Sequence, residues 1–186
     1  MNWKEASRQK WIDPRHIEEK VKELKGQDKT IATKTIATKT IATKTIATLN
    51  GSFDLLHAGH LHIIYEASKT ADILIVALNT DASIKAYKSQ DRPIIPLEYR
   101  LEMMAALGFV DYVTWFDETD PRALLTKIAP HVHVNGAEYG ENCIEAETVR
   151  SLGGKIHIVG LVPGLSTSMI IKKIDSLCAS FGPQIK

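Results

Sequence analysis

Ten consecutive residues, Gly51-Ser52-Phe53-Asp54-Leu55-Leu56-His57-Ala58-Gly59-His60, constrain this chain more than any other stretch. An Ile/Thr-rich run, Thr45 to Leu49, leads into them and reads as a buried strand. An apolar-periodic run, Leu61 to Ala67, leads out and reads as a helix. The block is therefore a strand-to-helix turn. Gly51 is expected to let the chain bend where a Cβ would clash. Gly59 is expected to let a ligand approach the backbone of the first helical turn. The N–H groups of that turn have no partner within the helix, and the helix dipole is positive there. A phosphate is the natural occupant. His57 and His60 lie three residues apart and share one face of the helix start.

The rest of the chain alternates in the same way. Asp72 to Asn79 is a near-continuous apolar run, the pattern of a parallel strand covered on both faces. Further strands are predicted at Asp111–Phe116, His131–Asn135 and Lys155–Val159. Helices are predicted between them. Thr80-Asp81 caps a short one bearing Lys85 and Lys88, and Pro96 starts one over Leu97–Leu107. Asp120-Pro121 starts another that runs to Ile128, Gly153-Gly154 ends the next, and Ser166 caps the last. The expected fold is α/β: a Rossmann-like, doubly wound parallel sheet of about five strands with helices on both faces. In such sheets ligands bind beyond the carboxyl ends of the strands, where the strand order reverses.

Three segments are distinguished. Residues 1–29 form an N-terminal helical extension, with Asp13 as N-cap, Pro14 at the first helical position and Ile17, Val21 and Leu24 at helical spacing. In residues 30–44 the unit Thr-Ile-Ala-Thr-Lys recurs with a period of five. That period keeps isoleucine on no constant face of a strand or a helix. An inserted linker is the expectation. Residues 45–186 carry the alternating strands and helices.

A formal charge of +1 gives no broad basic surface for nucleic acid. No apolar run has membrane-spanning length, and residues 1–10 lack a signal-peptide core. Cys143 and Cys178 make no metal-binding pattern. A soluble, cytoplasmic protein with free thiols, no nucleic-acid partner and no membrane contact is expected. There is no Walker-type phosphate loop.

The string GSFDLLHAGH resembles the G-x-F-D-x-x-H-x-G-H signature of the cytidylyltransferase-like nucleotidyltransferases. Within that superfamily the chain is most similar to the heptose 1-phosphate adenylyltransferase type, the ADP-heptose synthases. NTDASIK resembles the family's second-strand turn, which implies a phosphate contact for Lys85. DRPIIPLEYR resembles the R-P-x-x-P-x-x-x-R stretch and aligns Arg92 and Arg100 with it. VNGAEYG resembles the segment V-K-G-G-D-Y near base and ribose, departing from it at Asn135, Ala137 and Glu138. GLSTSMIIKKI resembles the ending that holds the outer phosphates.

The resemblance implies His57, His60 and Lys85 as catalytic residues. It implies nucleotide contacts from Gly51, Ser52, Phe53, Asp54, Gly59, Asn135, Gly136, Glu138, Ser166 and Thr167. Lys88, Arg92 and Arg100 would hold the substrate phosphate. Asp54 is expected to orient a histidine or a water. No protein residue is expected to ligate metal directly; Mg²⁺ would come with ATP. The implied substrates are a nucleoside triphosphate and a phosphorylated sugar, and a homodimer is expected. The alternatives are a CTP-dependent enzyme acting on glycerol 3-phosphate or a phospho-alcohol, and a catalytically silent nucleotide-binding module. The CTP enzymes carry an arginine in the stretch before the Ser-Thr pair; here Val162-Pro163-Gly164-Leu165 precedes Ser166.

Deleting residues 30–44 joins Lys29 to Thr45 and keeps the first strand in register with the signature turn. Cooperative unfolding and turnover should be nearly unchanged, measured with light-scattering mass on one preparation. Lost activity at unchanged mass would show that the repeats reach the site.

Overall fold

The computed structural model describes residues 2–26 and 44–181. The Thr-Ile-Ala-Thr-Lys copies between residues 30 and 43 lie outside the described residues. The chain begins with α1 (Trp3–Arg8), a 3₁₀ turn (Pro14–His16) and α2 (Ile17–Leu24). It continues through β1 (Ile46–Gly51), α3 (Ala58–Ser68), β2 (Ile73–Asn79), α4 (Asp81–Tyr87) and α5 (Leu97–Ala106). Then follow β3 (Tyr112–Phe116), α6 (Arg122–Ile128), β4 (Val132–Gly136), α7 (Ala146–Ser151), β5 (Lys155–Val159) and α8 (Thr167–Phe181).

The described residues form one five-stranded, all-parallel sheet in the order β3-β2-β1-β4-β5. The order reverses between β1 and β4, so their carboxyl ends frame a crevice. All seven residues of β2 are buried, as its unbroken apolar run requires. The sheet is covered on both faces. Ala47, Leu49, Val76 and Val134 pack with Ile64 of α3 and Leu101 and Met104 of α5. Ile46, Ile75 and Ala77 pack with Ile17 and Val21 of α2 and Leu124 and Ile128 of α6.

Two local features differ from the sequence expectation. Residues 3–8 form a helix because Asn2 and Glu5 make a reciprocal capping box: the Glu5 N–H donates to Asn2 Oδ1 at 3.0 Å, and the Asn2 N–H to Glu5 Oε2 at 2.9 Å. Asp13 caps a 3₁₀ turn, accepting from the Arg15 N–H at 2.9 Å, and the α-helix proper begins only at Ile17. Residues 10–12 lie along the outer edge of β3. The Ile12 N–H donates to the Val113 carbonyl at 2.8 Å and the Val113 N–H to the Lys10 carbonyl at 2.9 Å, covering an edge that would otherwise pair with other chains.

Gly153 adopts a left-handed φ of 82° after α7, the geometry of a glycine C-cap. Gly154 is a glycine for a different reason: a Cβ there would stand 2.3 Å from the Pro130 carbonyl oxygen and 2.9 Å from Val149 Cγ1. Gly154→Ala should therefore destabilise by about 1–3 kcal/mol. Gly108→Ala, where a Cβ meets nothing within 4 Å, should stay within about 0.5 kcal/mol of wild type. Thermal or urea unfolding of the pair checks this; equal midpoints would contradict the packing account.

Candidate active site

A cavity of about 750 Å³ opens beyond the carboxyl ends of β1 and β4. The signature turn forms its floor. Phe53, not Gly51, takes the left-handed conformation, with φ 43° in a non-glycine residue. Its ring lies edge-on to His60 with centroids 5.3 Å apart. Gly51 makes room for that ring, since a Cβ there would come within 3.1 Å of Phe53 Cε2. Gly59 likewise admits the His57 ring: a Cβ would meet Cε1 and Nδ1 at 3.0 Å. Both glycines serve close side-chain packing inside the turn, which the strand-turn-helix pattern did not reveal.

His57 is the N-cap of α3 and His60 lies in its first turn. Their rings stack at 3.9 Å with 20° between planes. Burial lowers the His57 pKa. Burial, the neighbouring His57 and Lys88 bring His60 down to about 4, against a hydrogen bond with the Leu55 backbone that favours the charged form. Both rings are therefore neutral at pH 7. Each has a buried Nδ1 without a hydrogen-bond partner among the described residues.

Cations line the facing wall. Lys88, at the C-cap of α4, donates from Nζ to Ser52 Oγ at 2.8 Å. Desolvation and the adjacent Arg92 lower its pKa. Arg92 also lines the cavity, and its Nε donates to Asp54 Oδ2 at 2.6 Å. On the remaining side Ser166 and Thr167 stand at the start of α8, where Ser166 Oγ accepts from the Met169 N–H at 3.2 Å. Asn135, Gly136 and Glu138 line the end of β4.

Three residues stand elsewhere than the motif matches imply. Lys85 lies on the exposed side of α4 and outside the cavity lining. Thr80 caps α4 and Ser83 and Ile84 are its buried side chains; with that rotation, Lys88 is the lysine that meets Ser52. Arg100 is fully buried and does not line the cavity. It donates to the carbonyls of Ser52 at 2.6 Å, Asn79 at 2.9 Å and Ile95 at 2.8 Å, and to Asp81 at 2.6 Å. Asp54 is also buried and contacts neither histidine by hydrogen bond. Its oxygens accept from the Ile94 N–H at 2.9 Å, the Ile95 N–H at 2.8 Å and Arg92. Burial alone would raise its pKa, but these donors outweigh burial and hold it below the ordinary value. Asp54 thus braces the loop that presents Arg92.

Tyr139, Leu161, Val162 and Leu165 also line the cavity; no motif match had pointed to Leu161. His133 is buried and bonded to Thr48 through Nδ1 at 2.8 Å, away from the lining.

The cytidylyltransferase-like family model matches residues 48–174. The bifunctional protein HldE of Pseudomonas syringae pv. syringae (strain B728a) is 44% identical over 126 residues, covering 67% of this chain and 27% of the relative. HldE of Granulibacter bethesdensis (strain ATCC BAA-1260 / CGDNIH1) is 43% identical over 129 residues, covering 69% and 27%. The chain thus spans just over a quarter of the length of these curated relatives. Among solved structures, the lipopolysaccharide core biosynthesis protein of Thermoplasma volcanium GSS1 is 28% identical with a TM-score of 0.51, over 64% of this chain and 97% of that one. Pantoate-beta-alanine ligase of Francisella tularensis, 16% identical, shares the fold with a TM-score of 0.57 over 88% of this chain and 72% of that one. With its signature turn at the strand-order reversal and its matched region spanning β1 to α8, the chain belongs to the cytidylyltransferase-like family.

Proposed function

We propose that this chain is a nucleotidyltransferase that transfers AMP from ATP to a sugar 1-phosphate of the heptose type and releases pyrophosphate. The observation that carries the reading is the stacked His57–His60 pair at the start of α3, facing Lys88 and Arg92 across one cavity. An oxygen of the sugar phosphate attacks the α-phosphorus in line, and the bond to the β-phosphate oxygen breaks. A phosphate nucleophile is already ionised at pH 7, so catalysis reduces to positioning and charge stabilisation.

His57 and His60 hold the α- and β-phosphate oxygens, and Ser166 and Thr167 grip the departing pyrophosphate. Lys88 and Arg92 hold the acceptor phosphate, with Lys88 in the role first assigned to Lys85. Asp54 has its oxygens committed to Arg92 and two backbone N–H groups, so Mg²⁺ would enter with the nucleotide and take no direct ligand from Asp54. When bound, Mg²⁺ supplies part of the charge neutralisation. Among the described residues no helix is long and apolar enough to cross a membrane, consistent with small soluble substrates and a cytoplasmic site of action. A homodimer is part of the same proposal, and the exposed apolar side chains Met169 and Ile174 of α8 are among those it would cover.

The absence of an arginine before Ser166 favours ATP over CTP. Pyrophosphate release with heptose 1-phosphate should be faster with ATP, and a higher kcat/KM for CTP would overturn the base assignment. His60→Ala should keep the fold and lose about 10²–10³-fold in kcat, the scale for one lost transition-state donor. A folded variant with near wild-type rate would remove His60 from the mechanism.

Binding should also be linked to protons. His60 is neutral down to about pH 4 in the free protein, and a polyphosphate beside it favours the charged ring. ATP binding should therefore take up protons above pH 4, and affinity should rise as pH falls from 7 towards 5. Calorimetry in buffers of different ionisation enthalpy reads this directly; binding with no proton uptake would place the phosphates away from His60.

A further inference from the structure

The wall of the cavity at the end of β4 has the opposite hydrogen-bonding character from the wall at the start of α3. Asn135 is buried, and its Nδ2 donates to Glu145 Oε2 at 3.4 Å. Glu145 is itself only 6% exposed, so its carboxylate is a fixed acceptor behind the cavity wall. Cys143, also buried, adds a second constraint. Burial raises the thiol pKa, a hydrogen bond with the Asn135 side chain lowers it, and one with the Glu145 side chain raises it. The hydrogen bond to Glu145 turns the N–H side of the Asn135 amide towards that carboxylate.

The Asn135 carbonyl oxygen is then the free end of the amide. No donor among the described residues reaches it, yet it is not a buried unpartnered atom, and Asn135 lines the cavity. Glu138 also lines the cavity, its carboxylate folded over Gly136: a Cβ on Gly136 would fall 2.1 Å from Glu138 Oε2. From Asn135 and Glu138 the ligand therefore meets acceptors, beside the Tyr139 phenol, which can donate as well as accept. An anionic group is repelled here, and a ligand hydroxyl is matched.

We propose that Glu145 is a positioning residue that locks the Asn135 amide with its carbonyl oxygen towards the cavity, making Asn135 the reader of a ligand hydroxyl. The inference rests on the nucleotidyltransferase reading. Two hydroxyl sources share this chemistry, the ribose of the nucleotide and the acceptor sugar.

The test compares wild type, Glu145→Leu, Glu145→Gln, Asn135→Ala and Asn135→Ala/Glu145→Leu. Calorimetry gives dissociation constants for ATP, 2′-deoxy-ATP and 3′-deoxy-ATP; steady-state kinetics gives KM and kcat for heptose 1-phosphate at saturating ATP. Glu145→Leu frees the amide to turn and should cost about five- to tenfold, the scale of one hydrogen bond. Glu145→Gln keeps an acceptor for Nδ2 and should restore wild-type behaviour. In the Asn135→Ala background, Glu145→Leu should add nothing. If the hydroxyl belongs to ribose, the loss appears for ATP but not for the matching deoxy analogue. If it belongs to the sugar, KM for heptose 1-phosphate rises by the same factor with kcat unchanged. Normal ATP binding with no effect of Glu145→Leu in either arm would overturn the inference alone. A loss that persists in the Asn135→Ala background would also overturn it, because Glu145 would then act through something other than Asn135. A folded chain that binds no ATP would overturn the functional reading and this inference together.

Discussion

The site depends on one buried guanidinium. Arg100 is fully enclosed and its charge is satisfied by three backbone carbonyls and the Asp81 carboxylate. A buried charge is tolerated only with such a complete set of partners, and removing one partner is costly. Those partners belong to four separate pieces: the signature turn at Ser52, the end of β2 at Asn79, the start of α4 at Asp81 and the loop at Ile95. Arg100 therefore sets the distance between the histidine-bearing turn and the helix that delivers Lys88. Asp54 repeats the principle with opposite charge, collecting Arg92 and two N–H groups. Between them, the two residues hold every cation of the cavity to the signature turn without occupying the cavity.

This division of labour bears on the chemistry. At α3 and α4 the groups facing the cavity are either neutral, as with His57 and His60, or cations whose own partners are fixed. The stacked rings are kept uncharged by burial, so no additional positive charge is packed beside Lys88 and Arg92. In the proposed reaction a triphosphate would supply the negative charge that makes protonation favourable. The acceptor groups of Asn135 and Glu138 stand at the end of the adjacent strand, β4. The cavity is thereby polarised, with donors at α3 and α4 and acceptors at β4, and a ligand carrying phosphates at one end and hydroxyls at the other has one favourable orientation.

Much of the fold was legible in the chain. The unbroken apolar run at Ile73–Asn79, the capping residues Thr80 and Ser166, and Gly153 each act locally, and each stands where the pattern implied. The N-terminal helix was missed although Asn2 and Glu5 spell its capping box, because six residues with no apolar periodicity gave it no face. His57, His60, Gly59, Ser166 and Thr167 all line the cavity, and their shared position was legible because each set lies within one turn of backbone at a helix start. Lys88 lines the cavity and Lys85 does not, because which lysine turns inward depends on the rotation of α4 against the sheet, a packing property.

The sequence by itself determined the class of fold and the strand-turn-helix at residues 51–60, with the unpartnered backbone donors that any helix start carries. These follow from periodicities and backbone donors that act over a few residues. Only the tertiary structure decided that Phe53 bears the left-handed backbone, that Arg100 and Asp54 are braces, and that Glu145 stands behind Asn135. Each of these is a contact between residues whose types admit several partners, or a conformation imposed by such contacts. A buried arginine and a surface arginine are spelled alike, and only the packed sheet and its helices determine which one is desolvated and must find its hydrogen bonds inside the protein.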